Sequence, residues 1–116
     1  MAGAWEVPGG QFSLDAGAAL DWRRFIKVDT DGTAAYATSG TDAIVGISYT
    51  EALAAGVPIS IIGSGIAMVE ASETVTPGDF VEPTTDGKAA VVSSGTSAFI
   101  ALTGADADNL ITVKIA

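Results

Sequence analysis

The sequence predicts an all-β fold: a small single-domain barrel or sandwich of about seven to nine short strands, with almost no helix. Three observations lead there. Turn residues punctuate the chain at Asp31-Gly32, Ser39-Gly40, Gly63-Ser64-Gly65, Pro77-Gly78 and Asp86-Gly87. The segments between them are short and rich in β-branched residues. Most telling is a degenerate internal repeat: TDGTAAYATSGTDA at 30–43 and TDGKAAVVSSGTSA at 85–98 match at nine of fourteen positions at a constant offset of 55. VPISII at 57–62 then parallels LITVKI at 110–115 at an offset of 53, which makes the second copy two residues shorter in the intervening loop. Two copies of one β-unit, 26–62 and 81–115, form a single domain spanning 18–116, preceded by an irregular arm at 1–17.

The arm scatters Trp5, Val7, Phe12 and Leu14 at no regular period around Pro8-Gly9-Gly10, which reads as a lead-in. From Leu20 the pattern alternates. Leu20, Trp22, Arg24, Ile26 and Val28 share one face of a predicted strand, and Asp21, Arg23, Phe25, Lys27 and Asp29 the other. Asp31-Gly32 follows as a two-residue hairpin signal, because both central positions of a type I′ turn require positive φ. Strands are expected at 43–48 and 57–62, separated by YTEALAAG, which could hold one helical turn. Further strands are expected at 66–71, at Phe80 and Val81, and near 88–92, 97–102 and 110–115.

At 116 residues the chain has room for one core. Hydrophobic content of 48% and a mean hydropathy of +0.43 are high for this size. Yet no apolar run approaches the ~18 residues of a membrane helix, so no membrane role is expected. A surface reserved for a partner would account for the excess. Fourteen acidic residues against five basic ones give a charge of −9, a field that repels phosphate backbones and argues against nucleic acid. MAGAWEVPGG has neither the basic nor the apolar region of a secretory signal. Cysteine and histidine are both absent. Their absence removes disulfides, thiolate or imidazole metal sites, the Ser-His-Asp triad and the usual general base.

No motif carries catalysis. An EF-hand register with Gly32 at its sixth position puts Lys27 and Thr38 where acidic ligands belong, and the second copy has Thr84 in place of Asp29. Gly63-Ser64-Gly65 lacks the further glycines and the helix of a phosphate loop and reads as a tight turn or bulge. The carboxylate pairs Glu70/Glu73 and Asp106/Asp108 flank turns, and pairs are expected by chance among fourteen acids. Lys27, Lys88 and Lys114 have no motif around them that would make a Ser-Lys dyad. Neither an enzymatic activity, a cofactor nor a metal is expected. Residues 20–27 differ, concentrating three basic residues and two large aromatics in an acidic chain. Trp22, Arg23, Arg24 and Phe25 fit a protein interface. They fit equally an ordinary strand with Trp22 in the core and the arginines paired to carboxylates. Trp5, Val7 and Phe12 in the arm are further partner-interface candidates, either tucked onto their own domain or docked into a partner.

The succession FIKVDTDGTAAYATSGTDAIVGIS, AAGVPISII, GIAMVEASETVTPGDFVEPTTDGKAAVVSSGT and ITVKIA resembles the small capsid cement, or head-decoration, proteins of tailed bacteriophages. The likeness runs from about Phe25 to the end. It implies a compact β-fold that assembles as a homotrimer on the outer surface of the mature head. There it would bridge major capsid protein subunits and stabilise the shell. It also implies that an N-terminal arm takes part in attachment, so that deleting residues 1–10 would weaken shell binding and spare the fold. A different class also fits: a small carbohydrate-type binding module, with Trp22, Tyr36 and Tyr49 as its exposed aromatics.

Overall fold

In a computed structural model, residues 3–93 and 95–115 are described; Met1 and Ala2 of the arm, Ser94 of the repeat and Ala116 lie outside them. The fold is all-β. The strands are β1 (Val7–Pro8), β2 (Gln11–Asp15), β3 (Phe25–Val28), β4 (Ala34–Tyr36), β5 (Ile44–Ser48), β6 (Pro58–Ile62), β7 (Gly65–Glu70), β8 (Phe80–Pro83), β9 (Ala89–Val91), β10 (Phe99–Ala101) and β11 (Leu110–Ile115). One short 3-10 turn spans Thr85–Gly87, and residues 49–56, where a helical turn was expected, are bends and turns around a bridge at Ala52.

The strands form two antiparallel sheets, ordered β1-β7-β11-β10-β8-β9 and β2-β6-β5-β3-β4. With β1 set aside, the two orders coincide strand for strand. The bridges outside the strands coincide too. Ala16 bridges Ala34 in parallel and Leu20 bridges Ala52 antiparallel; Ala71 bridges Ala89 in parallel and Val75 bridges Ala105 antiparallel. The duplicated unit is therefore larger than the matching letters, running over 11–62 and again over 65–115. Its first strands have diverged because their surroundings differ. β2 is an edge strand with mostly exposed residues, whereas β7 lies between β1 and β11.

Two features of the first unit correct the sequence alignment. Leu14 pairs with Ile59 where Val69 pairs with Ile111, so the last strands correspond at 52, not 53. The β3–β5 ladder also carries a bulge: Ile26 faces Gly46 and Lys27 faces Ile44, leaving Val45 extra. The corresponding β8–β10 pairing runs Phe99 with Val81 and Ile100 with Phe80. The bulge lets Ile44 and Ile47 reach one core while Val45 reaches the other. Gly46 makes it possible, since a Cβ there would fall 2.2 Å from the Ile62 carbonyl oxygen.

Alternation divides the core in two. Phe25, Ala37, Ile47 and Ile62 face the second sheet and pack with Ala67, Val69, Val81, Phe99, Ile111 and Val113. The Phe25 and Phe99 rings meet at 4.8 Å between centroids, tilted by 53°, an arrangement aromatic pairs favour. Ile26, Ile59 and Ile61 point the other way, into a smaller core closed by Ala16, Leu20 and Ala52. The two units thus stack head to tail. The face of the first unit that carries Phe25, Ala37 and Ile47 is buried, while its counterpart in the second unit, Phe80, Val92 and Ile100, is only half-buried.

Several expectations change. The alternation from Leu20 does not make one strand: β3 starts at Phe25, because Arg23 adopts φ 61° and turns the chain. Asp31-Gly32 is not a type I′ turn. Gly32 alone has positive φ, its N–H reaches Asp29 O, and Thr33 O accepts from Asp29 N, a type I turn with a following bulge. Asp86-Gly87 does have both residues at positive φ, 58° and 72°. The segment read as irregular supplies β1 and β2, one to each sheet; β4 completes the hairpin signalled at Asp31-Gly32, and the other eight strands lie where short strands were expected.

Candidate interaction surface

The sequence-selected residues separate into buried and exposed groups. Phe25 is fully buried in the main core, and Arg23 and Arg24 are 7% and 9% exposed. None of these three presents its side chain to a partner in this structure. Trp5, Val7, Phe12 and Trp22 are 41%, 59%, 40% and 53% exposed.

The buried arginines are internal ties. Arg24, on the first unit, donates to Asp86 O at 3.1 Å and reaches Glu70 Oε1 at 3.4 Å, both on the second. Asp21 adds a third oxygen at 3.5 Å. Lys88 extends the network, with Nζ 3.0 Å from Glu70 and 2.8 Å from Asp108. Hydrogen bonds to Asp108 and Glu70 raise the Lys88 pKa, and the same ammonium lowers that of Asp108. Arg23 pairs with Glu6 beside β1, in a largely buried contact, while its backbone oxygen accepts from Glu70 N. The candidate acid–base pairs are structural as well: Glu73 accepts from Val91 N and Asp106 from the Thr74 hydroxyl. Among the described residues, no group of three or more acidic side chains is placed to hold a metal ion.

Trp5 and Val7 come together at one border of the six-stranded sheet. Val7 pairs with Ile66, and the Trp5 backbone clasps the Thr112 hydroxyl through both N–H and C=O at 2.7 Å. Thr112 lies on the face of β11 opposite Ile111 and Val113 and is itself fully buried. Along that outer face lie Leu110 and Leu102, each 37% exposed, with Met68 paired across from Thr112. Leu102 and Leu110 were missed from sequence, although alternation along their strands gives their orientation. Phe12 stands elsewhere, its ring against Gly63 at the crossover between units. Trp22 stands on the turn before β3, where Arg23 lies 4.7 Å under its ring and 5.0 Å from that of Tyr49. Tyr36 is engaged internally, its hydroxyl accepting from Asp21 N at 2.8 Å, and burial raises its pKa.

No family model and no curated protein matches the sequence. Among solved structures, the fold is similar to the N base of head fiber gp8.5 in bacteriophage phi29. The match has a TM-score of 0.76 and 17% sequence identity, and covers 92% of this chain and 93% of that one.

Proposed function

We propose that this chain is a head-decoration, or cement, protein of a tailed bacteriophage, held on the outer surface of the mature head and bridging major capsid protein subunits. The observation that carries the reading is the end-to-end similarity to the N base of a phage head fiber, with nearly full coverage of both chains. That likeness is to a phage-head structural protein, and the sequence resemblance points to the same setting independently. In this reading the chain is not an enzyme and works without cofactor, which agrees with a composition lacking histidine and cysteine. It binds neither nucleic acid nor membrane.

The attachment face is the border built from Trp5, Val7, Leu102 and Leu110. Three copies around a local symmetry axis engage several shell subunits at once, and multivalency then supplies avidity that one small patch lacks. Binding to the assembled lattice, and not to its separated subunits, raises the free energy of shell opening by mass action. Two measurements test this. Sedimentation equilibrium should give three times the chain mass, and purified protein should saturate phage heads stripped of it. Trp5→Ala combined with Val7→Asp should lower head occupancy at least tenfold while the variant still unfolds cooperatively in urea; full occupancy by that variant would sink the assigned face. A monomer that fails to bind heads would sink the function.

A further inference from the structure

The turn leading into the second strand of each unit has a residue of positive φ at the same point in both copies and uses different residues. In the second unit Gly78, at φ 94°, donates to Ala101 O; in the first, Arg23, at φ 61°, donates to the corresponding Ser48 O. Asp79 N closes onto Thr76 O, so Pro77-Gly78 occupies the two central positions of a type II turn. Proline presets φ at the first of these and glycine relieves the positive φ at the second. The first unit places Trp22-Arg23 there instead, and a non-glycine residue in the left-handed region costs on the order of 1 kcal/mol. The turn itself does not require these two side chains.

What they build is a stack. The Arg23 guanidinium lies between the Trp22 and Tyr49 rings, is anchored at its far end by Glu6, and has a buried Nε without a protein partner. Trp22 is thereby held on one side and remains 53% exposed. With Tyr49, Thr50 and Glu51 it lines an open depression of about 380 Å³, within the size of ligand clefts. Thr50 Oγ1 accepts from Ser60 N, which leaves its proton to donate.

We propose that this depression binds a neutral hexopyranose saccharide. The apolar face of the sugar ring stacks on the Trp22 indole, while Glu51 accepts from the sugar hydroxyls and Thr50 donates to them. A concave site receives a ligand; an anchor for another protein's pocket would protrude. The charge of −9 and the Glu51 carboxylate select against anionic sugars. This site uses none of the attachment residues, although Glu6, which anchors Arg23, sits between Trp5 and Val7.

The test is an NMR titration of the full chain with cellotetraose, lactose and maltotetraose into the millimolar range, reading the two indole N–H signals and the backbone amides of Thr50 and Glu51. At least one probe should shift the Trp22 signal saturably and leave Trp5 in place. Trp22→Ala and the grafted turn Trp22→Pro/Arg23→Gly should abolish the saturable shifts of the Thr50 and Glu51 amides with the remaining spectrum still dispersed. Glu51→Gln should weaken binding about tenfold, and Trp22→Ala should leave head occupancy unchanged. The proposal is overturned by no saturable shift with any probe, or by shifts that persist in the grafted turn. A loss of head occupancy in Trp22→Ala without saccharide binding overturns it too, and marks the depression as a protein contact.

Discussion

Arg23 and Arg24 show how charge is used in this chain. Both were candidates for an outward-facing hot spot, and both are spent inside: one ties the N-terminal strand through Glu6, the other ties the two units through Glu70 and the Asp86 carbonyl. Removing one partner of a buried pair leaves an uncompensated charge, which costs more than the pair contributes. Glu6→Ala should therefore lower stability by about 2–3 kcal/mol, read from the urea midpoint; an unchanged midpoint would mean that water solvates Arg23. Deleting residues 1–10 is for the same reason not a clean test of attachment, since it removes β1 and orphans Arg23.

The Lys88–Asp108 contact makes a smaller, pH-dependent contribution at the surface. Asp108 is held below its ordinary value by the ammonium, so its share of stability is present above the unfolded carboxylate pKa. That share is lost as pH falls through the lowered folded value. Lys88 is raised, so its share is present at lower pH and is lost as pH rises through the raised value. Asp108→Asn should thus show a small deficit at neutral pH that closes in acid. A deficit constant across that range would assign the effect to packing.

At the scale of elements, the register of β5 depends on one glycine. The bulge that sends Ile44 and Ile47 into one core and Val45 into the other brings Gly46 against the backbone of β6. Gly46→Ala would put its Cβ 2.2 Å from the Ile62 carbonyl oxygen and 2.8 Å from Ile61 Cγ2, and the carbonyl cannot swing aside, so the two strands must separate. A loss of about 2–3 kcal/mol is expected, with faster hydrogen exchange along β5 and β6. Wild-type exchange there would show that β6 yields freely. The edges follow the same logic. β1 has two residues and covers only part of the β7 edge, where the backbone of Arg23 takes over at Glu70.

The whole molecule is one sheet unit used twice and stacked head to tail, which gives equivalent residues unequal fates. Phe25 and Phe80 occupy the same place in their units, yet the first is fully buried against Phe99 and the second is half-exposed on the outer face. Phe25→Ala should cost about 3–5 kcal/mol and Phe80→Ala about 1 kcal/mol, measured side by side by denaturant unfolding. Equal losses would mean that the outer face is covered in solution, as subunit association through it would require.

Much of this was legible from local patterns. The all-β class, the duplication and most strand positions follow from turn residues and from the 55-residue offset, because hairpin turns and alternation are set by neighbours along the chain. The strands β1 and β2 were not legible. Their pairing partners lie more than forty residues away, and at two and five residues they are too short for the alternation of β2, Phe12 and Leu14 between Gln11, Ser13 and Asp15, to stand out from the glycines and proline around it. Nor could the sequence distinguish Trp22, exposed on a turn, from Phe25, buried three residues later. That difference arises at Arg23, whose positive φ breaks the strand so that Ser48, Glu6 and Glu70 can take its polar groups. Local chemistry determined which segments would be strands and that they would come twice. Only the tertiary stacking of the two units decided which aromatic and charged side chains stayed at the surface, because burial depends on what lies opposite each face.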